Sequence, residues 1–167
     1  MPNWCSNKLE ISGNVEAFKT WLNGEPFTFS KIKPTPEEAM KKNAFDDGGW
    51  YNWRVENWGT KWDVEDVGIN WADNEVTHFE TAWSPPLAAF ETLSKLLPTV
   101  TFKLSYLEEG VGFCGGAVYQ DGLVSEEFYN MPSDEGWREF ASREFDWQPY
   151  DEEEDVKNFE RQKAQTA

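Results

Sequence analysis

His78 is the one histidine in the sequence, and histidine is the side chain that ordinarily titrates near neutral pH. Glu80 stands two residues on, so a strand through this stretch would place both on one face, where the pair could move a proton. No serine or cysteine nucleophile lies near them in a recognisable turn, and a half-buried strand histidine is the competing reading. Two carboxylate clusters offer other chemistry. Glu108 and Glu109 open a hairpin, while Asp63, Glu65 and Asp66 gather in an irregular stretch. Paired carboxylates bind divalent cations, or act in glycoside hydrolysis at defined separations. Read as a calcium loop from Asp63, the second cluster puts Gly68 at the required sixth position. Val67 takes the fifth, however, and Asn74 the twelfth, where a carboxylate is needed. The match fails, and solvated turns account for both clusters.

The run Gly110-Val111-Gly112-Phe113-Cys114-Gly115-Gly116 lacks the lysine–serine ending of a phosphate loop. It lies between strands, where glycines relieve crowding at a crossing or bulge. Cys5 and Cys114 form no CxxC unit, and a single histidine leaves no zinc-ligand pattern. Paired strands could bring the two thiols together, as a bridge or as a reduced pair. No cofactor and no metal is expected.

The most distinctive segment is Asn57 to Asp63. As a ligand cradle it would offer Trp58 and Trp62 for stacking, Lys61 for an anion and Asp63 to orient Lys61. As packing it would plug the sheet edge, with both indoles buried, Gly59 in a tight turn and a Lys61–Asp63 pair at the surface. Stacking on single-stranded bases normally comes with a basic groove; a sugar site needs no such charge.

An α+β framework must position these side chains. Trp4 to Ile11 reads as a strand ended by Ser12-Gly13-Asn14. Asn14 is placed to cap a helix in which Val15, Phe18, Trp21 and Leu22 recur at helical spacing before Gly24. Phe27 to Ile32 reads as a second strand, and Lys33-Pro34-Thr35-Pro36 breaks the chain. Residues 34–74 form an insertion holding five of the ten tryptophans, with a short helix expected over Trp50 to Asn57. Glu75 to Trp83 is a strand. Ser84 then caps a helix that Pro85 begins, with Leu87, Phe90, Leu93, Leu96 and Leu97 as its stripe. Val100 to Leu107 alternates cleanly, Phe113 to Tyr119 follows, and Asp121-Gly122 signals a hairpin into Leu123 to Tyr129.

The order β-α-β, insertion, β-α-β, hairpin is the split βαβ pattern of a ferredoxin-like sandwich, an antiparallel sheet with two helices on one face. Residues 1–130 make that domain with its tryptophan-rich insertion and added hairpin. Residues 131–167 make an acidic, partly helical C-terminal extension. In it Trp137 and Phe140 lie along a short helix that starts near Ser133 or Asp134.

Net charge is −16, from 31 acids against 15 bases. Such a field repels phosphate backbones and anionic membranes, which excludes direct nucleic-acid and membrane partners, but it attracts basic protein surfaces. Residues 121–167 carry 14 of the acids and 5 of the bases, and Asp151 to Asp155 is unbroken acid. Aromatic residues make up 16% of the chain and promise an aromatic core. No apolar run approaches the ~20 residues that span a bilayer, and the N-terminus lacks a basic region leading into an apolar core. A cytoplasmic protein is expected.

Four segments resemble the YubB-like ferredoxin-fold family of bacteriophages and plasmids. They are Met1-Pro2-Asn3-Trp4-Cys5-Ser6-Asn7, Asn57-Trp58-Gly59-Thr60-Lys61-Trp62-Asp63, Ala82-Trp83-Ser84-Pro85-Pro86 and Tyr106-Leu107-Glu108-Glu109-Gly110. Each falls at an element boundary, in the same order as in the family, and together they cover residues 1 to about 130. The resemblance implies a ferredoxin-like fold and an origin in mobile genetic elements. It transfers no catalytic residues.

Charge and resemblance together predict a non-enzymatic accessory protein that binds a host protein. In its specific form it is an anti-defence inhibitor, of the anti-CRISPR or anti-restriction type, occupying a basic nucleic-acid-binding surface. The partner-binding residues would be Glu126, Glu127, Asp134, Glu135, Asp151, Glu152, Glu153, Glu154 and Asp155, with carboxylates standing in for phosphates. The alternative is a glycan- or small-ligand-binding module, or a small enzyme, using Trp58, Lys61, Trp62 and Asp63. The sequence does not fix an oligomeric state.

Overall fold

The computed structural model describes residues 3–72 and 76–149, together with Lys157, Glu160, Arg161, Lys163 and Ala164. β1 (Trp4–Gly13) leads into α1 (Val15–Leu22), where Asn14 Oδ1 accepts from the Ala17 N–H at 3.3 Å and Asn23 closes the helix at a left-handed φ of 54°. Three short helices follow: α2 (Phe29–Ile32), α3 (Glu37–Lys41) and α4 (Trp50–Trp58). Then come β2 (Val76–Ala82), α5 (Leu87–Leu96), β3 (Val100–Glu108), β4 (Phe113–Gln120), β5 (Leu123–Asn130) and α6 (Glu135–Phe145).

The five strands form one antiparallel sheet in the order β2-β1-β3-β4-β5. β2, α5 and β3 are the split βαβ unit, because β2 and β3 run parallel with β1 inserted between them. Strand alternation puts Leu9, Ile11, Phe79, Phe102, Leu104 and Tyr119 on one face, where Phe18 and Leu22 of α1 and Phe90 and Leu93 of α5 cover them. The core is aromatic: Phe18, Phe27, Phe90 and Phe102 meet at centroid distances of 5.3–6.2 Å. Each fully buried phenylalanine contributes roughly 1.5–3 kcal/mol relative to exposure.

The strand expected over Phe27 to Ile32 does not form. Phe27 makes a single antiparallel bridge to Val67, and the chain then turns into α2. Side chains decide this. Asp63 accepts from the backbone N–H groups of Phe29 and Ser30 at 2.6 and 3.0 Å, and Thr28 Oγ1 accepts from Lys31 N–H at 3.1 Å. These bonds satisfy a helix N-terminus that a strand would not have. α2 to α4 extend the helical layer beside α5, with Trp58 buried against Phe29 at 5.9 Å.

α6 packs on the opposite face of the sheet. Asp134 caps it by accepting from Gly136 N–H at 2.9 Å, and Trp137, Phe140 and Ala141 bury against Leu107 and Cys114. A buried carboxylate ties the helix down. Glu144 meets Lys8 at 3.0 Å, Arg143 at 3.0 Å and Lys103 at 3.8 Å. Register separates the cysteines: Cys5 faces the α1 and α5 side, Cys114 lies under α6, and both are free. The sheet stands between the thiols.

Candidate functional site

The segments that stand out in the sequence meet at one end of the sheet, where β1 begins and β2 and β3 end. Trp83 N–H donates to Asn3 O at 2.9 Å, Thr60 Oγ1 donates to Ala82 O at 3.0 Å, and Ser84 Oγ donates to Gly59 O at 2.6 Å. Gly59 has a φ of 88°, and a Cβ there would lie 2.8 Å from Pro85 O and 2.9 Å from Leu87 N. Only glycine lets the 57–63 loop lock against the start of α5. Ser84 is therefore committed to the loop rather than to the helix. α5 begins at Leu87 after Pro86, with no side-chain cap, contrary to the expectation that Ser84 caps it.

The fourth segment closes the corner from β3. Glu108 is 1% exposed and accepts from the N–H groups of Gly110 and Val111 at 2.8 and 2.7 Å. It is a buried turn-former, not the solvated turn that the sequence implied. Its charge adds to burial, the larger cause, in pushing the Cys5 thiol up to about 12. Burial and then Glu127 push the Cys114 thiol to about 12 as well. A thiol held in that range is a poor nucleophile at neutral pH.

Of the four residues expected to form a ligand cradle, two serve the interior. Trp58 is fully buried and donates Nε1–H to Lys33 O at 2.9 Å. Asp63 does not orient Lys61; both its oxygens hold backbone N–H groups, including Val64 N–H at 2.9 Å. Lys61 and Trp62 reach the surface. The Lys61 ammonium sits between two indoles, 4.5 Å from the Trp62 centroid and 4.6 Å from that of Trp83. Trp4 completes the cluster, 6.2 Å from Trp62. Trp4, Trp62 and Trp83 are 47%, 38% and 42% exposed. Trp83 holds a left-handed φ of 68°, a strained conformation for a bulky residue that the bond to Asn3 and its neighbours' bonds to the 57–63 loop impose.

Trp4 and Trp62 also wall a groove of about 540 Å³ along β2, with Asp66, His78 and Glu80 among its polar lining. His78 and Glu80 share a strand face, as the alternation predicts, and both are exposed. Alternation does not single out Trp4 and Trp83, because it ranks side chains by face, whereas exposure at a strand end depends on what packs over it.

Glu126 and Glu127 project from β5 to opposite faces of the sheet, and both are exposed. Glu127 lies 3.7 Å from Arg143 and accepts from Tyr129 OH at 2.9 Å. Asp134 and Glu135 sit exposed at the start of α6. Glu127 and Asp134 both lie close enough to Cys114 to act on its thiol, on the face that α6 covers, whereas Glu126 points to the α5 face. Asp151, Glu152, Glu153, Glu154 and Asp155 lie outside the described residues. Among the described residues no group of three or more histidine, cysteine or acidic side chains is arranged to hold a metal ion.

Residues 57–160 match the family model described as the ferredoxin-like domain in Api92-like protein. The chain belongs to this family. The Api92-like match contains three of the four converging segments and extends past α6, so it takes in both faces of the sheet. A similar solved structure is that of a protein api92 from Yersinia pseudotuberculosis. It is 16% identical, with a TM-score of 0.42, over 52% of this chain and 32% of that one. The chain thus spans about a third of the length of that Api92 protein. No curated protein matches. Among the described residues of this Api92-like chain, no helix is long and apolar enough to cross a membrane.

Proposed function

We propose that this chain binds another protein through its acidic β5 and α6 side, as a phage- or plasmid-derived inhibitor that occupies a basic nucleic-acid-binding surface of a host defence protein. One observation carries the reading. Asp121, Glu126, Glu127, Asp134, Glu135 and Glu139 are all exposed on β5, its hairpin turn and α6, with Arg138 and Arg143 as the basic residues of the same stretch. Exposed carboxylates attract a surface built to receive phosphates, and they speed association in a salt-dependent way. The unbroken acids from Asp151 to Asp155 belong to the same stretch of sequence. The YubB-like resemblance supports the mobile-element origin.

The test captures partners of the full chain from plasmid- or phage-bearing cells and then asks each for function. A captured nucleic-acid-binding protein should lose its nucleic acid when the chain is added. That competition should weaken steeply with salt and with Gln or Asn at Glu126, Glu127, Asp134 and Glu135. Competition insensitive to both sinks the reading.

A second reading rests on the groove beside β2. Trp4 and Trp62 offer stacking faces, while Asp66, His78 and Glu80 offer hydrogen bonds to hydroxyls, which suits a neutral sugar in an acidic protein. A thermal-shift screen against glycans, nucleotides and divalent metals addresses it. Stabilisation by a glycan that Trp62→Ala abolishes would favour this reading over the first.

A further inference from the structure

β5 is an eight-residue edge strand, and among the described residues nothing pairs with its outer side. Such an edge normally invites pairing, so proteins shorten, cover or charge it. This one is neither short nor covered. Its hairpin reveals which backbone groups point outward. Asp121 and Gly122 both have positive φ, 50° and 74°, the two-residue turn in which the flanking pair Gln120–Leu123 is hydrogen-bonded. Antiparallel pairs alternate between bonded and non-bonded. Ser125, Glu127 and Tyr129 therefore bond back to β4, while Val124, Glu126 and Phe128 present free N–H and C=O groups to solvent.

The side chains of those outward residues share one face. Val124 and Phe128, 38% and 60% exposed, flank Glu126 two positions to either side. Among the described residues no cation lies within ion-pair distance of Glu126. Pairing with a second copy is disfavoured, because any antiparallel register centred on the strand sets Glu126 or Glu127 opposite a glutamate of the other copy, and like charges placed so repel.

We infer that the β5 edge receives an extended segment of a partner protein by strand addition, with a basic residue opposite Glu126 and apolar residues two positions away on Val124 and Phe128. Main-chain bonds would supply the hold, and these three side chains the selectivity. The inference rests on the acidic-side reading above and adds the mode of binding to it.

The probe is a synthetic peptide of the length of β5, with one lysine flanked two positions away on each side by valine and with threonine elsewhere. It is compared with the same peptide N-methylated at the alternate positions whose N–H groups would meet β5. The unmethylated peptide should bind the full chain and slow amide exchange at Val124, Glu126 and Phe128. N-methylation should weaken binding about tenfold or more, as loss of a few main-chain hydrogen bonds would. Phe128→Pro should do the same, since it removes an outward N–H and leaves the β4 ladder intact. Equal binding of the methylated peptide overturns strand addition and leaves the acidic-side reading standing. Binding unchanged in the Glu126→Gln, Glu127→Gln double variant overturns both. Slow exchange at Val124, Glu126 and Phe128 in the free protein overturns the inference too, because the edge would already be covered.

Discussion

Single side chains at the converging corner divide into those that hold it and those that it displays. Glu108 and Asp63 hold it through two and three backbone N–H groups, respectively. Replacing Glu108 by Ala leaves two turn N–H groups without their partner and should cost about 1–3 kcal/mol in urea unfolding. Asp63→Ala leaves the Thr28 cap of α2 but strips the acceptor from the Phe29 and Ser30 N–H groups, and should cost about 1–2 kcal/mol. Trp62→Ala alters a displayed indole and should change stability far less, while quenching or shifting the tryptophan emission. If Trp62→Ala proves the most destabilising of the three, the division is wrong. The sequence marked Asn57 to Asp63 as a unit but could not make this division. A carboxylate that holds helix N–H groups 33 and 34 residues upstream reads the same as one that salts a surface lysine.

Elements expose the same limit and its cause. Strands and helices with a one-sided apolar pattern were legible: β1, α1, β2, α5, β3, β4 and β5 stand where alternation and turn residues put them, to within a few residues. Phe27 to Ile32 misled because Phe27, Phe29 and Ile32 are all buried, which fits a strand as well as one helical turn, and the deciding contact, Asp63, is remote in sequence. α6 was legible as a helix from Trp137 and Phe140, yet nothing local told which face of the sheet it covers. That placement has consequences. Trp137 is 1% exposed over Cys114, so Trp137→Ala should cost about 3–5 kcal/mol. It should also open Cys114 to alkylation, whereas both thiols of the parent should react slowly at pH 8 because burial holds them near 12. Rapid labelling of the folded parent would contradict the burial of both.

Glu144 links α6 to the charge of the whole molecule. Burial alone would raise its pKa, but hydrogen bonds from Lys8 and Arg143, with Lys103 nearby, outweigh burial and hold it below the usual carboxylate value. A carboxylate with a depressed folded-state pKa adds stability that is present above its ordinary unfolded value of 4.5 and that is lost as pH falls through the folded value. The parent should therefore lose more stability on acidification below about 4.5 than Glu144→Gln does, read as unfolding free energy against pH. At neutral pH the opposite problem dominates, since a net charge of −16 repels itself. Raising ionic strength from about 0.01 M to about 0.15 M shortens the Debye length from ~30 Å to ~8 Å. That screens repulsion among the exposed carboxylates of β5 and α6 far more than it screens the buried contacts of Glu144, which are a few ångströms long. The midpoint of thermal unfolding should accordingly rise with salt over this range. The rise should be smaller in a variant neutralised at Glu126, Glu127, Asp134 and Glu135, because much of the repulsion is then already gone. A parent that is destabilised by salt would mean that attractive pairs such as Lys8–Glu144 and Lys103–Glu10 outweigh the repulsion. The acidic side would then not store the repulsion that a basic partner could relieve.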